Sequence, residues 1–135
     1  YRITISNLCN LRCAFCPGTK RTGRTMNVAE FSALLPKLRP FTDFLYFHLM
    51  GEPLIHPELP KFIEMACQAG FRPMLTTNGT LLNRERLAWM AERDFLVGLS
   101  VDGSPEMHNV NRCYADGQGS HAAAAAALAL MQEFP

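Results

Sequence analysis

Four apolar-rich extended runs, each followed by a segment of helical periodicity, constrain the fold of this 135-residue chain more than any other feature. Repeated strand–helix alternation predicts an α/β fold with a parallel sheet, because each helix carries the chain back so that the next strand runs the same way. The first strand is expected over residues 2–6, and its helix over Val28–Leu38 with Asn27 as N-cap and Glu30 placed for a capping box. Phe31, Leu34, Leu35 and Leu38 give that helix an apolar stripe, while Pro36 lacks an N–H and is expected to kink or shorten its last turn. The second strand, residues 44–49, leads to a helix with Pro57 near its first position and Gly70 as its stop; Leu59, Phe62, Ile63 and Ala66 share one face. A third strand over 74–77 precedes a helix beginning at Asn83, and a fourth over 96–101 precedes one beginning near Ser120. On the fourth strand Gly98, Ser100 and Asp102 share one parity and Val97, Leu99 and Val101 the other, which predicts a polar face into a barrel and an apolar face toward helices.

Composition excludes several classes. With 48% hydrophobic and 19% charged residues the chain reads as one ordinary globular domain. Its net charge of +1 points to no particular partner. Lys20, Arg21 and Arg24 read as a solvated loop, so no nucleic-acid partner is expected. The longest apolar run, residues 122–131, is half the roughly 20 residues that cross a bilayer, and no leader opens the chain, so no membrane role is expected. Five cysteines, three of them in one short stretch, argue for a reducing compartment and hence a cytoplasmic location rather than a disulfide framework. A start on a strand at Tyr1 and a stop at Pro135 after a helical pattern predict an excerpt truncated at both ends.

Each strand is followed by a motif. Cys9, Cys13 and Cys16 follow the first, Gly51-Glu52-Pro53 the second, Thr76-Thr77-Asn78-Gly79 the third and Ser100-Val101-Asp102-Gly103 the fourth. All fall at strand C-terminal ends, where a parallel βα barrel or part-barrel gathers its loops around ligand, so four distant motifs are expected to form one pocket. Three thiolates in one loop suit a soft metal centre with one coordination position left open; a zinc site or three buried thiols are the plainer alternatives. Glu52 beside Gly51 offers a carboxylate for an ammonium, although the same residues alone read as a turn. Thr77 and Asn78 either bond ligand or brace the turn at Gly79. Asp102 either reaches ligand or caps the turn at Gly103, and Arg112 is either a ligand contact or a surface arginine. His48 shares parity with Tyr46 and is expected to face the lumen, His56 reads as a loop residue at a helix start, Cys67 as an inert thiol in an apolar helical environment, and Cys113 stays ambiguous.

The C-x3-C-x2-C spacing of Cys9, Cys13 and Cys16, with Gly51-Glu52-Pro53 and the two later motifs in order, resembles the radical S-adenosylmethionine (SAM) superfamily. The resemblance implies that residues 1–135 are a core domain comprising about four βα units of a six-unit partial TIM barrel. It further implies a 4Fe–4S cluster on the three cysteines with SAM on the fourth iron. Phe15 would pack on the SAM adenine, and Gly51, Glu52 and Pro53 would hold its amino group, with Met50 standing where the family usually has a second glycine. Ser100 and Asp102 would approach its methionyl or ribose part, Arg112 would suit its carboxylate, and Thr77 and Asn78 would line the same pocket. The implied reaction is reductive cleavage of SAM to methionine and a 5′-deoxyadenosyl radical that takes hydrogen from substrate, fed by an electron donor such as flavodoxin or ferredoxin. Ser100-Val101-Asp102-Gly103 and the stretch from His108 to Arg112 look most like the SPASM-type branch, which modifies peptides or proteins. The rival is an iron–sulfur electron-transfer or metal-binding module without SAM chemistry, which leaves the other three motifs unexplained.

Overall fold

The computed structural model describes residues 1–93 and 95–134. Helix α1 (Val28–Leu38) begins as its caps predict. Asn27 Oδ1 accepts from Glu30 N at 2.9 Å, and Glu30 Oε2 accepts from Asn27 N at 2.9 Å. Pro36 neither kinks the helix to a halt nor shortens it: the helix runs through to Leu38, and Arg39 N still donates to Leu35 O at 3.0 Å. Ser32 and Pro36 are both exposed, so water can take the carbonyl that the missing N–H leaves free.

Helix α2 (Leu59–Gln68) starts later than expected, with Pro60 rather than Pro57 in its first turn. Leu59, Phe62, Ile63 and Ala66 are all buried, as the stripe predicts, and Gly70 ends the helix at φ +83°. Cys67 is exposed, which corrects the apolar environment expected for it: it lies at the flank of that stripe on α2, one turn after Ile63.

Strands β1 (Phe44–Tyr46), β2 (Arg72–Thr77) and β3 (Leu96–Leu99) form a parallel sheet in chain order, with Tyr46 opposite Met74 and Leu75 opposite Val97. The expected first strand is reduced to a bridge. Ile3 N donates to Tyr46 O at 2.8 Å and Tyr46 N to Tyr1 O at 2.9 Å, so the segment lies parallel beside β1. It then leaves the sheet, because Met26 N donates to Ile5 O at 2.8 Å and Asn7 N to Arg24 O at 3.2 Å, drawing residues 5–7 onto residues 24–26. β1 and β3 also end earlier than expected, each followed by one more ladder bond, Phe47 N to Met74 O and Ser100 N to Thr77 O.

Alternation along the strands sets the core. Leu45 and Phe47 are buried, and Phe31 stacks on Phe62 at 4.3 Å with Phe47 at 5.7 Å, gluing α1 and α2 to the sheet. Tyr46 and His48 keep the opposite parity, with rings 6.5 Å apart. Val97 packs on the core, whereas Val101, past the end of β3, is 38% exposed. Helices α3 (Arg84–Ala91, capped by Asn83) and α5 (His121–Met131) match expectation. Helix α4 (Pro105–Asn111) was not expected, although Ser104 as N-cap, Pro105 and Glu106 form a readable start signal. Among the described residues no helix is long and apolar enough to cross a membrane.

Candidate cofactor site

The cysteine loop is held along its length by the last residue of α4 and the chain after it. Leu11 bridges Tyr114, Arg12 N donates to Cys113 O at 2.7 Å, and Ala14 N donates to Asn111 O at 2.8 Å. Leu11 is buried and anchors the loop, while Cys9 and Cys16 are exposed and Cys13 is half-buried. Leu11 N donates to Cys9 Sγ at 3.4 Å and Asn78 Nδ2 lies 4.0 Å from it. Partial desolvation of its sulfur pushes the Cys9 thiol up although the residue is exposed, opposed by the Leu11 bond and reinforced by the charges of Glu52 and Cys16. Burial also raises Cys13, opposed by Arg112 and reinforced by Cys9, Cys16 and Cys113. Mutual repulsion of this kind among soft donors is relieved by a cation, and a three-thiolate set suits an iron–sulfur cluster. Among the described residues no three His, Cys, Asp or Glu side chains converge on a point for a single metal ion. A cluster asks less convergence, since each thiolate holds a different iron.

Gly51 packs directly on the start of this loop. Its φ is +79°, and a Cβ there would lie 2.3 Å from Ser6 O and 2.7 Å from Leu8 O, so the position requires glycine for space as well as conformation. Glu52 N donates to Leu8 O at 2.7 Å. The Glu52 side chain is 2% exposed, and its Oε1 accepts from Thr77 Oγ1 at 2.7 Å and Leu54 N at 3.0 Å, its Oε2 from Asn78 N at 2.9 Å. Burial lifts its carboxyl above the usual range against the pull of those three bonds. Three of about four acceptor positions are thus occupied from within the chain. Pro53 is buried and opens a 3-10 turn over Pro53–Ile55.

Thr77 and Asn78 brace this arrangement. Thr77 Oγ1 also accepts from Gly79 N at 3.1 Å. Asn78 Oδ1 accepts from Thr80 N and Oγ1, and its Nδ2 donates to Asn10 Oδ1 at 3.0 Å, which ties the end of β2 to the cysteine loop. Asn10 Nδ2 closes the ring by donating to Thr80 Oγ1 at 2.7 Å.

Ser100 is half-buried at the end of β3. Asp102 and Arg112 pair with one another: Arg112 Nε donates to Asp102 Oδ2 at 2.7 Å and Nη2 to Oδ1 at 3.2 Å. That bidentate bond holds the Asp102 carboxyl below its usual range and raises the guanidinium. Arg112 is therefore more than a surface arginine, and its guanidinium lies 4.9 Å from the centroid of Phe15, which is 59% exposed between Cys13 and Cys16. Cys113 Sγ lies 3.6 Å from Arg12 O, within the strap over the loop. His56 is the loop residue before α2 that the sequence predicts, and it is buried: its Nδ1 accepts from Glu58 N and its Nε2 bonds Met26 O at 2.8 Å, fastening the start of α2 to the entry of α1. Asn10, Thr80, His108 and Ser120 complete the surroundings and had no role assigned from sequence, although Asn10 lies inside the cysteine motif and His108 opens the stretch that ends at Arg112.

Comparison with known proteins matches the radical SAM superfamily to residues 3–134. The chain belongs to the radical SAM superfamily. Its curated relatives include 7-carboxy-7-deazaguanine synthase of Aquifex aeolicus, 31% identical over 73% of this chain and 42% of the relative. They also include the tungsten-containing aldehyde ferredoxin oxidoreductase cofactor-modifying protein of Pyrococcus furiosus, 33% identical over 80% of this chain and 32% of the relative. The solved structure of native anSMEcpe with bound AdoMet and Cp18Cys peptide superposes with a TM-score of 0.85 at 26% identity, covering 98% of this chain and 39% of that one. This radical SAM chain thus spans less than half the length of each of these three proteins, and its parallel α/β architecture is that of part of a TIM-type barrel. The family's cofactors are a 4Fe–4S cluster and SAM.

Proposed function

We propose that the full-length protein is a radical SAM enzyme, of which this chain is the N-terminal part of the core domain, and that it takes hydrogen from a peptide or protein substrate. The observation that carries this reading is the convergence of four strand-end motifs through contacts: Glu52 bonds Thr77 and Asn78, Asn78 bonds Asn10, and Asp102 bonds Arg112, whose guanidinium lies over Phe15. When bound, a 4Fe–4S cluster on Cys9, Cys13 and Cys16 supplies the electron that splits SAM into methionine and a 5′-deoxyadenosyl radical.

The chain's own residues bind and orient. Phe15 offers its exposed face to the adenine, and Gly51 lets the ligand approach backbone that a side chain would block. Glu52, fixed by three donors, retains one acceptor position for the SAM amino group, while Pro53, Thr77 and Asn78 keep it in place. Ser100 contacts the methionyl or ribose part. Arg112 presents its remaining donors to the SAM carboxylate, with Asp102 as its anchor. The likeness to a structure holding a peptide supports the substrate class and the SPASM-type branch. An electron donor such as flavodoxin or ferredoxin and a reducing, cytoplasmic location complete the reading.

Reduced, cluster-loaded full-length protein given SAM is expected to form 5′-deoxyadenosine, detected by chromatography. Absence of that product, with ready electron transfer to a partner protein, replaces the enzyme by the carrier.

A further inference from the structure

His108 is fully buried on α4, and its ring joins the backbones of the two residues whose side chains form the ion pair beside the cysteine loop. Asp102 N donates to His108 Nδ1 at 3.2 Å, which makes Nδ1 an acceptor and leaves the proton of the neutral ring on Nε2. Nε2 then donates to Ser120 Oγ at 3.0 Å, and Ser120 Oγ donates to Arg112 O at 2.9 Å. The relay has one direction throughout. Ser120 is itself buried, and its backbone N reaches the same Arg112 carbonyl at 3.1 Å. Arg112 N closes the circuit on His108 O at 2.8 Å. His121 adds a second tie among the same three segments, its N donating to Asn109 Oδ1 at 2.9 Å and its Nε2 bonding Gly103 O at 3.2 Å, but it touches neither member of the ion pair.

We propose that His108 is a positioning residue for SAM binding, acting through Ser120 and the Asp102 backbone to hold the Asp102–Arg112 pair over Phe15. A guanidinium on a long side chain loses rotamer freedom when it binds an anion, and here that freedom is already removed by fixing both ends of the pair. His108 itself faces away from ligand, since both ring nitrogens are used within the chain. The proposal rests on the function proposed above.

The test is a double-mutant cycle on full-length, cluster-loaded protein, with SAM affinity read by calorimetry and iron content read alongside. His108→Phe keeps ring volume but neither bond, and is expected to weaken SAM binding roughly tenfold with iron unchanged, in the range typical of supporting residues. Arg112→Ala is expected to weaken it as well, and the double variant to bind no worse than Arg112→Ala, because His108 acts through the arginine. A merely structural role would make the two losses add. Full additivity, or wild-type affinity in His108→Phe, overturns the proposal; if His108→Phe does not fold, Ser120→Ala carries the same cycle. Nitrogen NMR of the protein before cluster loading reads the relay separately: an unprotonated Nδ1 and a protonated Nε2 are expected at neutral pH, and a protonated Nδ1 overturns it. Failure of the wild type to bind SAM sinks the proposed function, and with it the role of Arg112, even where the ring shows the expected tautomer.

Discussion

Thr77 Oγ1 donates a 2.7 Å hydrogen bond to Glu52 Oε1, and this contact fastens the end of β2 to the loop that follows β1. With Asn78 N on the other carboxylate oxygen, Glu52 becomes the joint between two of the four motifs. Removing the hydroxyl tests that joint. Thr77→Val deletes a donor to a buried carboxylate, a bond of about 1.5–3 kcal/mol, and should lower the denaturation midpoint accordingly. An unchanged midpoint would show that water or a neighbour replaces it.

Glu52 also predicts a pH dependence. Burial raises its carboxyl in the fold above the ordinary value of 4.5, so its protonated form favours folding. Its contribution is complete below that ordinary value and is lost as pH rises through the raised one. Glu52→Gln cannot titrate. Denaturation midpoints measured from pH 4 upward should fall for wild type relative to the variant, and parallel profiles would contradict the burial argument.

Gly51 has no room for a side chain. Gly51→Ala places a Cβ against two backbone carbonyls at positive φ, neither of which can swing aside as a side chain would. The expected cost is about 1–3 kcal/mol, accompanied by weaker cluster retention because Ser6 and Leu8 lead into the cysteine loop. Circular-dichroism melting and iron analysis measure both, and wild-type values in both would show that the loop yields.

The cysteines divide by position. Cys9→Ala, Cys13→Ala and Cys16→Ala in anaerobically reconstituted full-length protein should lose the cluster, whereas the exposed Cys67 on α2 can be replaced without effect. Iron and sulfide content is the readout. Full loading in any of the first three, or loss in Cys67→Ala, would reassign the ligands.

Much of the fold was legible because its signals are local. Asn27 and Glu30 meet within one helical turn, and the Leu59, Phe62, Ile63 and Ala66 stripe recurs at the helical period. Local rules also misled where the surroundings won. The first strand thinned to a bridge because residues 24–26 compete for its backbone, and Pro36 was tolerated because it faces water.

The sequence by itself determined the alternation of β1 to β3 with α1, α2, α3 and α5, the three thiols in one loop and the position of each motif after its strand or bridge. Each depends on spacing along a few residues. Only the tertiary structure decided what the polar groups of those motifs do. Thr77 and Asn78 brace Glu52 rather than standing free, Asp102 is spent on Arg112 rather than on the turn at Gly103, and Arg12 meets Cys113 across most of the chain. The reason is physical: a carboxylate or hydroxyl accepts or donates equally well to ligand, backbone or side chain. Which partner it finds is set by long-range closure of the chain, and no local pattern encodes that.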